Sequence, residues 1–421
     1  MNIYFSGIGG VGIGPLAEIA LDAGYEIAGS DLENSLLTDE LRKKGININI
    51  GQDGSFLQTC YDKKPIDWFV YTSALPQDHP ELVLARQLGI RTAKRDELIA
   101  KIIADKNLKL IAIAGTHGKT TTTGMMIWVL KQLGIPISYS VGTTLSFGPS
   151  GKFDPTSEYF VYECDEFDRN FLNFSPYLSL ITSVDYDHPD TYKTPNEYLQ
   201  AFHEFATKSN QIIYWEDQHS ELFQNLTNSI ILKLTDINSD LKIPGIYNRR
   251  NATLVQKSLN QIGITTQTDD IIADFPGVNR RFEKLVDNLY TDYGHHPVEI
   301  AATLQLAHEI SNHIVLIYQP HQNLRQHAIR SEYTDQFELA DKIYWLPTYL
   351  SAGNREDSNL PVLTPSELIQ NITNKNKIEI AQLDDNLWKI IQEARKNNIL
   401  VLCMGAGEID KWLRNKLKTN Q

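Results

Sequence analysis

A segment rich in glycine and threonine, with one lysine, is the strongest chemical signal in the sequence. The run AGTHGKTTTT at 114–123 follows an apolar segment and precedes a helical pattern. In such loops backbone N–H groups and a helix N-terminus hold phosphate oxygens, the lysine offsets charge and a hydroxyl binds Mg²⁺. The loop is a variant, because a strict pattern needs glycine at Ile113. A surface turn is the alternative, but the flanking strand and helix favour a nucleoside triphosphate site pivoting on Gly115 and Gly118.

The first residues carry a second phosphate-binding pattern. Gly7, Gly9 and Gly12 spell G-x-G-x-x-G after an apolar run, and Asp31 follows about twenty residues on, which is the form of a dinucleotide-binding fingerprint. A purely structural glycine turn is one alternative, and NAD is another ligand. Since a chain with an ATP loop rarely needs NAD as well, the pattern favours the pyrophosphate of a UDP-sugar, which would use the same turn.

Acidic residues and a histidine follow two other apolar strands. The block YECDEFD at 162–168 places Glu163 nearest a strand end, and VDYDHPD at 184–190 places His188 after the next strand. Carboxylates at the carboxyl ends of such strands suit Mg²⁺, which takes few protein ligands. We therefore expect Glu163 to bind Mg²⁺. His188 is expected to act beside the phosphate-binding residues, although a lone histidine can equally be structural.

The last third of the chain holds polar residues at strand ends. DYGHHPVE lies at 292–299 and YQPH at 318–321, while GVNRRF places Arg280 and Arg281 in sequence. Arginine is favoured where a phosphate or carboxylate is gripped by two contacts. A solvated arginine pair is the alternative.

Strand and helix patterns alternate throughout, which predicts an α/β protein of three domains. NIYFS, IDWFVYTSA, EYFVYECDE, HIVLIYQP and NNILVLCMGAGE read as strands, and KLVDNLYTDY as one more. The polar stretch at 104–109 predicts a linker, and Pro276 and Gly277 suggest a second boundary. The predicted domains are 1–106, 107–275 and 276–421.

Composition limits the classes of partner. The chain of 421 residues has a net charge of −13, which argues against nucleic acid. No apolar stretch approaches the roughly 18 residues of a membrane span, and the N-terminus shows no signal peptide. Three cysteines lack paired spacing, which suits a reducing cytoplasm and no zinc site. We expect a cytoplasmic monomer or dimer without a membrane partner.

Together these motifs resemble those of the Mur ligases, the ATP-dependent amino-acid ligases of peptidoglycan assembly. The resemblance spans the whole chain and rests on the motifs GIGGVG, AGTHGKTTTT, ECDEFD, SVDYDHPDTY, GVNRRFE, DYGHHPVE, QPH and GAGEI. Within the family it is most similar to the branch that adds L-alanine to UDP-N-acetylmuramate. It implies a Rossmann-like UDP-binding domain, a central P-loop ATPase domain with a mainly parallel sheet, and a Rossmann-like C-terminal domain that binds the amino acid.

The resemblance also implies roles for individual residues. Those implied in catalysis are Lys119, Glu163, His188, His295 and Arg325. The implied ATP site comprises Gly115, Thr116, His117, Gly118, Lys119, Thr120, Thr121, Asn248, Asn251, Arg281 and Asp292. The UDP-sugar site comprises Gly9, Gly10, Val11, Gly12, Ser30, Asp31, Thr72, Ser73 and Ala74. Tyr293, His295, His321 and Arg325 would line the amino-acid pocket, and Thr120, Glu163 and His188 would hold Mg²⁺.

The sequence departs from the family pattern at three positions. Tyr247 replaces the usual histidine of an H-N-x-x-N block, Gln322 replaces one of two pocket arginines, and Phe167 differs from the residue of both related branches.

The expected reaction uses ATP and Mg²⁺ to activate the muramyl carboxylate as an acyl phosphate, which the amine of L-alanine then attacks. The alternatives are a ligase that adds a whole tripeptide, and a non-catalytic protein that binds the UDP-sugar.

Overall fold

A computed structural model describes residues 1–10, 12–72, 75–350 and 360–419. Within these ranges the strands form three sheets with mainly parallel pairing. This confirms the predicted α/β class with three domains. None of the described helices combines the length and the apolar character needed to cross a membrane.

The first sheet is entirely parallel, in the order β3-β2-β1-β4-β5. Its buried face includes Tyr4, Phe69 and Tyr71, which pack against the third and fourth helices. The elements are β1 (Asn2–Ser6), α1 (Gly14–Asp22), β2 (Glu26–Asp31), α2 (Leu36–Lys43), β3 (Asn47–Ile50), α3 (Ser55–Lys63), β4 (Trp68–Tyr71), α4 (Pro80–Gln87), β5 (Arg91–Lys94) and α5 (Arg95–Asp105).

The second sheet has the order β12-β11-β10-β6-β9-β7-β8 and is parallel except for the pair β7–β8. Its elements are β6 (Lys109–Ala114), α6 (Lys119–Gln132), β7 (Ile137–Ser140), β8 (Gly151–Lys152), β9 (Tyr159–Glu163), β10 (Leu178–Ile181), α7 (Pro195–Thr207), β11 (Ile212–Trp215) and β12 (Ser229–Leu232), with short 3₁₀ helices at Phe167–Asn173, Ser220–Leu222 and Leu234–Asp236.

The third sheet has the order β13-β14-β18-β15-β16-β17, and only β13–β14 is antiparallel. Alternate residues of β15 face two separate buried clusters, so both faces of this sheet are covered. The elements are α8 (Ile246–Gln261), α9 (Asp269–Ala273), β13 (Glu283–Val286), β14 (Leu289–Asp292), α10 (Pro297–Ile310), β15 (Ile314–Tyr318), α11 (Asn323–Ile329), β16 (Lys342–Trp345), α12 (Pro365–Leu368), β17 (Ile378–Ile380), α13 (Asp385–Lys396), β18 (Leu400–Met404) and α14 (Ile409–Thr419), with 3₁₀ helices at Arg330–Tyr333 and Lys375–Lys377.

Two sequence expectations about elements were wrong. KLVDNLYTDY forms the hairpin β13–β14, because Asn288 adopts a positive φ of 59° and reverses the chain. The predicted linker at 104–109 is shorter, since α5 continues to Asp105 and β6 begins at Lys109.

By compactness the described chain divides into two units. The first comprises Met1–Val184 with Leu199–Leu232, and the second Asp185–Tyr198 with Lys233–Gln421. The boundaries at 106 and 275 stay predictions.

Candidate active site

In the first unit, two glycines shape the loop between β6 and α6. Gly115 has a φ of 137°, and a Cβ added there would lie 2.2 Å from the Thr182 hydroxyl. Gly118 has a φ of 83° and is the N-cap residue directly before α6. The N–H of His117 donates to the Ser183 hydroxyl at 2.8 Å, and the N–H of Thr116 donates to the Ser183 carbonyl at 3.0 Å. The loop therefore has a defined shape that only glycine permits at its first pivot.

Lys119 stands in the first turn of α6 and contacts a buried carboxylate. Its ammonium donates to both oxygens of Glu166, at 2.7 and 3.0 Å, and to the carbonyls of Gly115 and Thr116. Burial lowers the pKa of Lys119, but the carboxylates of Glu166, Asp165 and Glu163 outweigh it, and the net pKa is raised. Lys119 thus carries a full positive charge inside the loop.

The next residue of α6 reaches the end of β9. The Thr120 hydroxyl donates to Glu163 at 2.7 Å, and the N–H of Gly142 donates to the other oxygen of that carboxylate at 2.8 Å. A hydroxyl and a carboxylate oxygen side by side form a donor set suited to a hard cation such as Mg²⁺. Thr121 follows, half-buried, in the same turn. The third predicted metal ligand, His188, belongs to the second unit.

The opening glycine loop lies at the carboxyl ends of β1 and β2. The N–H of Gly9 donates to the Asp31 carboxylate at 2.7 Å. A Cβ on Gly9 would lie 2.7 Å from the Thr38 methyl and 3.0 Å from both Asp31 and the Ser35 hydroxyl. The absence of a side chain at Gly9 therefore lets the loop close onto Asp31.

The other predicted UDP-sugar residues surround this contact. The N–H of Gly10 donates to the Gly7 carbonyl, and the Ser30 carbonyl accepts the N–H of Gly7. A Cβ on Gly12 would lie 3.8 Å from the Arg95 guanidinium. Thr72 follows β4. Val11, Ser73 and Ala74 lie outside the described residues.

In the second unit, Arg325 of α11 is held by three groups. One terminal nitrogen lies 3.1 Å from Asp187 and 3.3 Å from Nδ1 of His188. The other donates to Nε2 of His295. His188 itself has a φ of 58°, which presents it from a sharp turn. Two of the predicted residues, His188 and His295, therefore meet at a third, Arg325, which also contacts Asp187.

These contacts set the protonation of the histidines. Burial, together with the adjacent Arg325, lowers the pKa of His295 to about 3. Nδ1 of His295 donates to the Tyr293 carbonyl at 3.2 Å, so Nε2 is the acceptor. Burial and Arg325 likewise lower the pKa of His321 to about 4. Both imidazoles are neutral at pH 7.

The carboxylate that faces Arg325 is Asp187, which is charged where the two histidines are neutral. Burial raises the pKa of Asp187, but the positive charge of Arg325 outweighs burial, and the net pKa lies far below the ordinary value. The pair is buried, with side chains only 10% and 11% exposed. Asp187 thus stays ionised and keeps Arg325 in place.

A second acidic residue lies at the end of β14. The Asp292 carboxylate accepts the N–H groups of Phe282 and Gly294 at 2.7 and 2.6 Å. Burial raises the pKa of Asp292 to about 6 against the lowering effect of Arg281. The guanidinium of Arg281 lies over the Tyr293 ring at 5.1 Å, so three of the predicted residues form one cluster.

The predicted adenine-side residues lie on α8. The Asn248 amide donates to the Pro244 carbonyl at 3.0 Å, and Asn251 is buried. Tyr247 is 43% exposed, with the Arg250 guanidinium 5.7 Å from its ring centre. The structure places all of them in the first two turns of one helix; their contact with ATP stays a prediction.

Sequence reasoning missed the two carboxylates that neutralise the central cations. Glu166 lies within the acidic block in which Glu163 was singled out, and Asp187 directly precedes His188. Their position in motifs was a signal, but which acid would pair with which base depends on the fold.

The chain is similar to known proteins over nearly its full length. Residues 2–107 match the Mur ligase family, catalytic domain, and residues 113–255 the Mur ligase middle domain. A UDP-N-acetylmuramate–L-alanine ligase of Carboxydothermus hydrogenoformans is 31% identical, over 98% of this chain and 95% of that protein. Its counterpart in Caldicellulosiruptor bescii is 30% identical, over 99% of both.

Two solved structures are also similar. The UDP-N-acetylmuramate–alanine ligase MurC of Thermotoga maritima has a TM-score of 0.76 and 26% identity, covering 100% of this chain and 99% of that one. A murein peptide ligase of Psychrobacter arcticus has a TM-score of 0.64 and 22% identity, covering 99% and 98%. At that identity the second similarity concerns the fold alone.

Proposed function

Because the chain belongs to the Mur ligase family, we propose that it is an ATP-dependent ligase that joins L-alanine to the carboxylate of UDP-N-acetylmuramate in peptidoglycan synthesis. Relatives named for this reaction are 30% and 31% identical over nearly the full length. The murein peptide ligase shares only the fold at 22% identity, so the tripeptide alternative gains no separate support.

The observation that supports catalysis most directly is the loop after β6. It holds a protonated Lys119 beside Glu166, and Thr120 contacts Glu163 within the same turn. A loop that only bound a nucleotide-sugar would need neither the buried cation nor the hydroxyl–carboxylate pair. This arrangement fits phosphoryl transfer from ATP.

The proposed reaction has two steps. A carboxylate oxygen of UDP-N-acetylmuramate attacks the γ-phosphorus of ATP, the bond to the bridging oxygen breaks and ADP leaves. The amine of L-alanine then attacks the acyl carbon of the acyl phosphate, and phosphate leaves with loss of the amine proton. The ammonium of Lys119 stabilises the charge that develops on the transferred phosphoryl group.

We assign Mg²⁺ to Thr120 and Glu163, with His188 as the proposed third ligand. When bound, the ion would supply further positive charge to the phosphate oxygens. The residues of the chain fix the two oxygen donors in advance, because Gly142 holds the second oxygen of Glu163.

In the second unit, Tyr293, His295, His321 and Arg325 are the proposed amino-acid site. The guanidinium of Arg325 would receive the carboxylate of L-alanine, and its orientation is set by Asp187 and His295. Asn248, Asn251, Arg281 and Asp292 are the proposed contacts to ATP from this unit.

The glycine loop after β1, together with Ser30, Asp31 and Thr72, is the proposed UDP-sugar site. We place the reaction in the cytoplasm, which is consistent with Cys60, Cys164 and Cys403 being free thiols.

The test is ADP release by the full chain with ATP, Mg²⁺ and UDP-N-acetylmuramate, while single amino acids and the tripeptide are varied. We expect the highest kcat/KM with L-alanine and a product mass equal to the amide. Preference for the tripeptide would replace the proposed substrate. Binding of UDP-N-acetylmuramate without ADP release under any amine would identify a non-catalytic binding protein.

A further inference from the structure

A fully buried carboxyl group to which no role is assigned above lies against the first sheet. Glu81 lies in the first turn of α4 and is 0% exposed. It accepts hydrogen bonds from Tyr4 at 2.7 Å, Ser6 at 2.6 Å, Ser30 at 2.7 Å and Gln52 at 3.3 Å. Its donors among the described residues are thus three hydroxyls and one amide. Because a polar group is costly to bury unless it is hydrogen-bonded, a buried side chain whose oxygens are held by four donors indicates a specific requirement.

The two oxygens of Glu81 have different partners. Oε2 accepts from Ser6, Ser30 and Gln52, and Gln52 also donates to the Ser6 and Ser30 hydroxyls at 3.0 and 3.2 Å. Oε1 accepts from Tyr4, whose ring stacks on Phe69 in the core. One oxygen therefore faces the strand ends, and the other faces the core.

The strand ends that Glu81 joins are those from which the glycine loop departs. Ser6 is the last residue of β1 and pairs in register with Ser30 of β2. The Ser30 carbonyl accepts the N–H groups of Gly7 at 2.9 Å and Ile8 at 3.0 Å. The following residue, Asp31, accepts the N–H of Gly9. Ser30 thus connects Glu81 to the loop, because its hydroxyl donates to Glu81 and its carbonyl accepts from Gly7 and Ile8.

This place in the sheet is where parallel α/β folds bind ligands. The order β3-β2-β1-β4-β5 reverses between β1 and β4, and ligands bind outside the carboxyl ends of the strands at such a reversal. A group that fixes the relative position of these strand ends sets the geometry offered to a pyrophosphate.

We propose that Glu81 is a positioning residue for the UDP-sugar: through Ser6 and Ser30 it holds the ends of β1 and β2 so that the glycine loop keeps its pyrophosphate-binding shape. This inference rests on the proposed function, since it takes the UDP-sugar as the ligand of that loop.

The test compares two variants of the full chain, one that replaces the carboxyl group of Glu81 and one that removes a single donor to it. Glu81→Gln keeps the side-chain shape but places an amide among donors that need an acceptor. Tyr4→Phe removes only the hydroxyl that faces the core, and is the matched control. The measurements are the Kd of UDP-N-acetylmuramate by calorimetry, the KM of ATP, kcat at saturating substrates and the Tm.

We expect Glu81→Gln to raise the Kd of UDP-N-acetylmuramate at least tenfold, with the KM of ATP and kcat within about twofold of wild type. Tyr4→Phe should lower the Tm with little change in that Kd. If Glu81→Gln does not fold, Ser6→Ala removes one link between Glu81 and the loop and should raise the Kd at least threefold.

An unchanged Kd in the folded Glu81→Gln variant, or in Ser6→Ala where that variant replaces it, would overturn the inference. An equal rise of the Kd in Tyr4→Phe would also do so, by reducing Glu81 to a stabilising role. If the wild-type chain itself does not bind UDP-N-acetylmuramate, the proposed function fails, and the role of Glu81 fails with it.

Discussion

At the scale of single residues, two buried ion pairs hold the cations that we assign to the reaction. Lys119 faces Glu166, which is 1% exposed, and Arg325 faces Asp187, which is 11% exposed. In each pair the neighbouring acid fixes the position of the cation. Removing one partner leaves a buried uncompensated charge, which typically costs about 3–5 kcal/mol. Variants of these cations therefore require controls that separate stability from chemistry.

We predict that Lys119→Ala lowers turnover by at least about a thousandfold, because phosphoryl transfer loses an oriented cation. The Kd of UDP-N-acetylmuramate should change little, since Lys119 contacts the loop after β6 and Glu166. ADP release and calorimetry measure the two quantities.

The control for Lys119→Ala is the double variant with Glu166→Gln. The single variant should lower the Tm, and the double variant should recover much of that loss without recovering activity. Substantial ADP release by either variant would exclude the catalytic role of Lys119.

The missing arginine at Gln322 predicts a change in amino-acid affinity. A second charge-assisted contact should lower the KM of L-alanine in Gln322→Arg, by about five- to thirtyfold if the contact is worth about 1–2 kcal/mol. The measurement is the L-alanine dependence of ADP release at saturating ATP and UDP-N-acetylmuramate.

Arg325 is tested in parallel by Arg325→Lys, which keeps a cation beside Asp187, and by Arg325→Ala, which does not. Both should raise the KM of L-alanine, because Arg325→Lys loses the paired geometry of the guanidinium. Only Arg325→Ala should also destabilise the fold strongly. Unchanged KM values of L-alanine in Gln322→Arg, Arg325→Lys and Arg325→Ala would mean that the carboxylate of the amino acid binds elsewhere.

At the scale of elements, the two glycine loops require glycine for different structural reasons. The loop after β6 combines a positive φ with contact against the residues after β10, whereas the loop after β1 needs Gly9 for close approach to the start of α2. Substitutions in the two loops should therefore act on different substrates.

Gly115→Ala should abolish measurable ATP binding, since its Cβ would lie 2.2 Å from the Thr182 hydroxyl and 2.8 Å from the Ser183 backbone nitrogen. The matched control is Gly134→Ala, which also has a positive φ, of 70°, but meets nothing within 4 Å. This control should lose only about 1 kcal/mol of stability. Equal ATP affinity in the two variants would contradict the prediction.

Gly9→Val should weaken binding of UDP-N-acetylmuramate while leaving the KM of ATP nearly unchanged. The structure supplies a reason beyond crowding of the phosphates: the added Cβ would collide with Thr38 and crowd Asp31 and Ser35. Calorimetry with NAD is the control, and tight NAD binding by the wild-type chain would contradict a UDP-sugar site.

At the scale of the whole molecule, the buried titratable groups predict how stability depends on pH. His295 has a pKa of about 3 in the folded state against 6.5 as its ordinary value. The unfolded chain thus binds more protons between these values, and the contribution of His295 is lost as the pH falls from about 6.5. The pKa of Asp292 is raised from 3.8 to about 6, so Asp292 has the opposite effect. Its contribution to the free energy of unfolding is present below about pH 4 and is lost as the pH rises through about 6.

Urea unfolding at pH 7, 6 and 5 tests both signs. Relative to wild type, His295→Gln should show a smaller loss of unfolding free energy on acidification, and Asp292→Asn a larger one. Identical pH profiles in the two variants would mean that neither group has the shifted pKa.

The sequence by itself determined the class of fold, the two glycine loops and the family. Repeated alternation of buried strands with amphipathic helices specifies parallel sheets, and a glycine loop between strand and helix is a local feature that needs no distant partner. Lys119, Thr120 and Glu163 could be proposed as site residues for the same reason, since their motifs adjoin strand ends. The prediction from the sequence was wrong where the local pattern was ambiguous. KLVDNLYTDY was predicted as one strand, but its Asp-Asn turn divides it into two.

Only the tertiary structure decided which charges meet. Asp187 and Arg325 are far apart in the chain, and so are Glu81 and its partners Ser6 and Ser30, so no spacing rule could pair them. The neutral state of His295 also depends on burial and on Arg325, which the fold alone brings together. Desolvation and Coulomb interactions vary with distance in space, and for that reason protonation and ion pairing were not readable from the order of residues.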